Sequence, residues 1–161
     1  MNNAWKTALL QATVLTFEEL CFLFPDPEPN EQQSNARVDV AVQVAFSGLF
    51  NGALIVRLCS GLMRGIAANM LGEDEVPNAT KQIDALGEVA NVICGNALPW
   101  VAGVHQVFRL GAPIAIVPDV AYDACEMVIL AEVQLGLDEG RVDVMLLTEP
   151  SAVTTLEESL A

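Results

Sequence analysis

The chain has 161 residues, 53% of them hydrophobic, a mean hydropathy of +0.43 and a formal charge of −14 from 21 acids against 7 bases. That length suits one domain, 1–161, with a sizeable core, and the apolar excess belongs inside it or at a subunit interface. The charge excludes a nucleic-acid role, because the sequence holds no cluster of Lys and Arg that would release phosphate counterions.

Asn3 to about Phe24 reads as an amphipathic helix, with Leu10, Val14, Phe17, Cys21 and Phe24 at helical spacing and Pro25 and Pro27 to stop it. Lys6 and the apolar run after it imitate a signal peptide. Glu18 and Glu19 follow directly, however, and no small-x-small cleavage site is present, so the expectation is a cytoplasmic protein. Pro25 to Asn35 has no apolar period and reads as a surface loop.

From Val38 the period becomes two, through Val40, Val42, Val44 and Phe46, which predicts a half-buried strand. Asn51-Gly52 signals a hairpin, and Leu54, Val56 and Leu58 alternate on the returning strand. A short helix follows, with Ser60 as its expected N-cap, Leu62, Met63, Ile66 and Met70 on its apolar side, and Gly72 just past its end. The connection is acidic, Glu73-Asp74-Glu75, and closes with Pro77; Asn78 or Thr80 then caps a long helix.

In that helix Asp84, Glu88, Asn91 and Gly95 fall on one narrow stripe, while Ile83, Leu86, Ala90, Ile93 and Ala97 define another face. One face packs; the other presents an acid and a carboxamide one turn apart, with a glycine that leaves room for a partner's reactive group. A polar stripe on a surface helix is usually only a solvated face. Here the helix is otherwise very apolar, and a glycine inside a helix costs about 1 kcal/mol relative to alanine, so Gly87 and Gly95 need a reason. The uncharged run from Val89 to Phe108 contains Asn91, Asn96, Pro99, His105 and Gln106, which a bilayer would penalise, so it is a core element and no membrane span is expected.

Ile114 to Val117 returns to strand character. A second hairpin pairs Ile129, Ala131, Val133 and Leu135 with Val142, Val144 and Leu146, turning near Glu139-Gly140. Aligning Gly52 with Gly140 superposes Leu54, Val56 and Leu58 on Val142, Val144 and Leu146, an internal pseudo-repeat. Residues 150–161 read as a mobile tail. Cys21, Cys59, Cys94 and Cys125 form no C-x-x-C pair, sit in apolar surroundings and read as buried free thiols of a reducing compartment. The single His105 has no partners for a metal site and is assigned no role. Strands in hairpins with helices inserted imply an α+β fold, an antiparallel or mixed β-sheet with long helices packed on one face.

Phe50-x-Gly52, Ile66-Ala-Ala-Asn-Met-Leu-Gly72, Asp84-Ala-Leu-Gly-Glu88-Val-Ala-Asn91-Val-Ile-Cys-Gly95-Asn96-Ala97 and Pro113 together resemble the CheC/CheX family of chemotaxis phosphatases, and within it CheX. The resemblance implies an α+β domain that often dimerises by joining sheets, and an activity: dephosphorylation of a phosphorylated CheY-type response-regulator receiver domain in two-component signalling. It implies Glu88 and Asn91 as catalytic residues, with Asp84 and Gly95 in the partner-binding surface. Asn91, both donor and acceptor, would orient the attacking water, and Glu88 would pair with the receiver's lysine. No cofactor is expected on this chain; Mg²⁺ is expected on the receiver, because two carboxylates without a third acid or a histidine make a poor cage.

Pro99 falls where family members continue the helix, and Pro113 follows Asn91 slightly sooner than in the family pattern. Only one site is legible. Neither Glu18 nor Glu19 has an asparagine three residues on, and Asn69 has Ile66 three residues before it. A homodimer is expected, since the chain is unusually apolar for its size and a sheet with strands such as Val38 to Phe46 must cover or pair its edges. The alternative reading is a non-catalytic module of the same fold that docks a receiver, flagellar or signalling protein.

Overall fold

One antiparallel sheet under a helical layer accounts for residues 2–72, 77–118 and 126–159, the part of the chain that this computed structural model describes. In chain order the elements are α1 (Asn3–Cys21), α2 (Glu31–Asn35), β1 (Val40–Ser47), β2 (Gly52–Leu58), a 3-10 turn (Ser60–Leu62), α3 (Met63–Leu71), α4 (Ala79–Ala102), β3 (Arg109–Leu110), β4 (Ile114–Ile116), β5 (Val128–Leu137), β6 (Gly140–Thr148) and α5 (Pro150–Ser159). The sheet order is β3-β1-β2-β6-β5, with β4 also on β1, and every pairing is antiparallel. This is the α+β architecture that the periodicities imply.

The two hairpins meet at the sheet's centre, where Leu54 pairs with Leu146, Val56 with Val144 and Leu58 with Val142. Those are the residues the pseudo-repeat superposes, and they exchange places as a two-fold axis between Val56 and Val144 requires. All six are buried in one core with Leu9 and Phe17 of α1, Ile66 of α3, and Leu86, Ile93 and Leu98 of α4. Burying such a side chain stabilises the fold by about 1.5–3 kcal/mol. The opposite face of the sheet holds a smaller cluster, Ile55, Met145 and Leu147, with Ile116 and Met127 against it.

Beside that cluster Asp143, fully buried, pairs with Arg57 at 3.2 Å and Arg141 at 2.9 Å. Burial pushes its carboxyl above the usual carboxylate range, although both guanidiniums pull the other way. The arginines also donate to Pro118 O and Ser34 O, which ties α2 and the end of the β4 segment to the sheet.

Several boundaries differ from the sequence reading. α1 stops at Cys21, before the prolines, because Phe22 adopts left-handed torsions and Leu23 N–H folds back to Phe17 O. The expected loop 25–35 contains α2, closed by a capping box in which Asn30 accepts from Gln33 N–H and Gln33 Oε1 accepts from Asn30 N–H. Ser60 is not an N-cap; its N–H and hydroxyl donate to Asp39, and a 3-10 turn leads into α3. Gly72 does close α3, at φ 62°. In place of the expected tail, α5 buries Ala152 and Leu156. The strand around Val38 to Phe46 lies inside the sheet, with β2 on one side and β3 and β4 on the other; the two edges are β5 and the short β3 and β4.

Cys21 and Cys94 are buried free thiols whose pKa burial pushes up to about 12, and Cys59 is free and half-buried. Cys125 and the Glu73-Asp74-Glu75 connection lie outside the described residues.

Candidate functional site

Asn78 starts α4, its side chain accepting from Lys81 N–H at 2.9 Å, and Gln82 Nε2 reaches back to Pro77 O. From there the 3.6-residue period decides which way each side chain points. Leu86, Val89, Ala90, Ile93, Cys94, Ala97 and Leu98 are buried. The opposite face carries Asp84, Glu88 and Gly95, exposed, and Asn91, half-buried. All four residues named from the stripe therefore share one outward face. Glu88 and Asn91, three residues apart, are surface neighbours with Cβ atoms about 5–6 Å apart.

Among the described residues, neither the Glu88 carboxylate nor the Asn91 amide has a hydrogen-bond or ion-pair partner. An acceptor-only carboxylate next to an amide that both donates and accepts suits a partner that brings a cation and a water. Asp84, a turn before Glu88, adds a second negative charge to the same face.

Beside this face runs a groove of about 200 Å³ between α4 and the Pro113–Ala115 segment, with Ile83, Asp84, Gly87 and Glu88 on the helix side and Val42 at its floor. Its far wall sits close because of Gly87: a Cβ there would lie 2.9 Å from Pro113 Cβ. That contact explains a glycine in mid-helix. Gly95 has no such constraint, since a Cβ there would meet only Leu110 Cδ1, at an ordinary 3.8 Å. The groove wall at Pro113, Ile114 and Ala115 is not read from the sequence as part of a site; its signals there are the unexplained Gly87 and the place of Pro113 in the family pattern.

Pro99 does not end the helix. α4 runs on to Ala102, with Gly103 N–H donating to Pro99 O at 2.9 Å. What proline removes is the N–H that would have served the Gly95 carbonyl, one turn past Asn91. Asn69 has a structural partner: its Nδ2 donates to Cys21 O at 2.8 Å, satisfying a carbonyl at the end of α1. The described residues contain no cluster of three or more His, Cys, Asp or Glu able to hold a metal, and no helix among them is long and apolar enough to cross a membrane.

The sequence model for the family described as "Chemotaxis phosphatase CheX" matches residues 40–132, more than half of the chain and all of α4. No curated protein matches by sequence. Among solved structures, the fold is similar to CheX of Desulfovibrio desulfuricans (21% identity, TM-score 0.69, covering 90% of this chain and 99% of that one). It is similar also to CheX of Vibrio vulnificus (21%, TM-score 0.72, 90% and 96%). A third similar chain comes from the CheX-CheY-BeF3-Mg²⁺ complex of Borrelia burgdorferi (18%, TM-score 0.62, 89% and 97%).

Proposed function

Because the chain belongs to the CheX family of chemotaxis phosphatases, we propose that it hydrolyses the aspartyl phosphate of a CheY-type response-regulator receiver. The observation that carries this reading is the outward Glu88/Asn91 pair, without partners among the described residues of its own fold. In the proposed reaction Asn91 orients a water in line with the phosphoryl group. The water oxygen bonds to phosphorus, the bond from phosphorus to the aspartyl oxygen breaks, and the products are inorganic phosphate and the receiver's carboxylate. Positioning of this kind, with charge stabilisation, is most of what phosphoryl transfer asks of a protein.

Glu88 pairs with the receiver's lysine and fixes the register of the two proteins. Asp84 strengthens the attraction at the same surface, and Gly95 keeps the helix low where the receiver approaches. The Mg²⁺ that neutralises phosphoryl charge belongs to the receiver in this scheme. A structurally similar CheX has been crystallised in complex with CheY, BeF3 and Mg²⁺. Cytoplasmic location follows from the same proposal, since receivers work there.

The test is phosphate release from each CheY-type receiver of the source organism, phosphorylated in Mg²⁺, with and without this chain. Faster release supports the proposal. Docking without release identifies a non-catalytic binding module, and neither outcome with any receiver removes both.

Glu88→Ala is expected to reduce turnover and weaken association with the phosphorylated receiver by about tenfold or more, the loss of one charge-assisted contact. Glu88→Gln should fall between parent and alanine, as it keeps an acceptor without the charge. Titrating a beryllofluoride-activated receiver gives the affinity directly; parental values for both variants would make Glu88 a solvated surface residue.

We further propose a homodimer joined at β5. Among the described residues its outer backbone groups from Val128 to Leu135 face no strand, the bridge of Asp26 to Gly136 covering only its end. Ile129 is exposed beside them, and such an edge is a template for a second copy. Light scattering should give twice the chain mass at micromolar concentration; a monomer there refutes the dimer.

A further inference from the structure

The C-terminal half of α1 shows on its outer side what a solvated helix does not need. Leu15 is 45% exposed, and Glu18, Glu19 and Phe22 continue the same face at three-, four- and seven-residue steps. Phe22 is 67% exposed and Phe24 is 76% exposed.

Phe22 also sits at φ 53°, ψ 35°, the left-handed conformation that ends helices and that glycine adopts without strain. The turn itself has a structural purpose, since it returns Leu23 to the core and lets its N–H reach Phe17 O at 3.1 Å. The phenyl ring has none: it is strained into place and then left in water. Strain at an exposed aromatic is the kind of feature that points to function.

Next to this face the chain from Pro25 to Pro27 forms the second wall of an open cleft of about 560 Å³, lined by Leu10, Val14, Leu15, Pro25 and Pro27 with Glu18 at its margin. Glu19 follows Glu18 on the helix, and Asp26 and Glu28 flank Pro27 in the chain; the one base of α1, Lys6, lies at the other end, against Leu10 and Pro27. An apolar cleft with an acidic rim selects its occupant by charge. A second copy would bring acids against acids, whereas a helix with apolar side chains on one face and Lys or Arg beside them satisfies both features.

We propose that this cleft, together with the exposed rings of Phe22 and Phe24 in the turn between its two walls, docks a basic amphipathic helix of a partner protein. The site is on α1, apart from the α4 face, and does not depend on the phosphatase reading.

The probe is a synthetic 18-residue helix with leucines along one face and lysines elsewhere, beside a counterpart carrying glutamates, each titrated into the full chain. The parent should bind the lysine peptide, less tightly as salt is raised, and not the glutamate peptide. Phe22→Gly should weaken binding about tenfold or more while keeping or raising the melting temperature, because glycine fits the left-handed turn better than phenylalanine does. Phe24→Ser, outside that turn, should weaken it as well, and Glu18→Lys with Glu19→Lys should do so through the rim. If the Phe22→Gly and Phe24→Ser variants bind like the parent, the attraction is a property of the acidic surface at large and the proposal fails. It fails equally if Phe22→Gly abolishes self-association, which would make a second copy the occupant.

Discussion

Replacing Asn91 with alanine is expected to slow receiver dephosphorylation by about a hundredfold or more, the usual cost of removing a preorganised polar group from a transition state. The same substitution should leave the fold almost untouched. Asn91 is half-buried on the outward face of α4 and bonds to nothing in the described chain, so alanine, the best helix former, creates neither a cavity nor an unsatisfied partner. Affinity for the activated receiver should also stay near the parent's, because the amide's proposed task is to hold a water and not to carry the interface. Phosphate release, thermal melting and receiver titration on one preparation separate these effects. Undiminished turnover in a folded variant would remove Asn91 from the reaction. A loss of turnover matched by an equal loss of affinity would make it a docking residue instead.

The stripe on α4 is legible in the sequence because it depends only on helical period, which is local. The central hairpins are legible for the same reason, whereas the pairing of the pseudo-repeat's residues with one another at the middle of the sheet is known only from the structure. What is not legible depends on contacts remote in sequence or on torsions with no residue signature. The left-handed turn at Phe22 carries none of the glycine or asparagine that announces such turns. The capping box of α2 is present as Asn30 and Gln33, but the prolines before it dominate the local pattern. α5 is short, and its two buried residues, Ala152 and Leu156, make a faint period. The groove wall depends on Pro113 lying against Gly87, and the sheet's two edges, β5 and the β3 and β4 pieces on β1, depend on pairings remote in sequence.

Gly52 tests the fold as Asn91 tests the chemistry. The sequence presents Asn51-Gly52 as a turn, which would make the glycine's role conformational. In the structure Gly52 is already in β2, paired with Phe46 on one side and Thr148 on the other, and it is not among the described glycines with positive φ. Its constraint is space: a Cβ would lie 2.0 Å from Leu147 O and 2.6 Å from Phe46 Cζ. Neither neighbour can retreat easily. Leu147 belongs to the central ladder, and the Phe46 ring is held edge-on by Phe50 and Phe108 at centroid distances of 5.4 and 5.8 Å. Gly52→Ala is therefore expected to destabilise the protein by about 3 kcal/mol or more, at the upper end of what overpacking costs. For a domain of this size that lowers the melting temperature by roughly 6–12 °C. Asn51→Ala should cost much less, because the backbone carbonyl that accepts from the Thr148 hydroxyl at 2.9 Å survives the change. Denaturant and thermal unfolding of the two variants decide the matter. Parental stability in Gly52→Ala would contradict the close approach of β2 to β6, and a larger loss in Asn51→Ala would return the hairpin's stability to its turn.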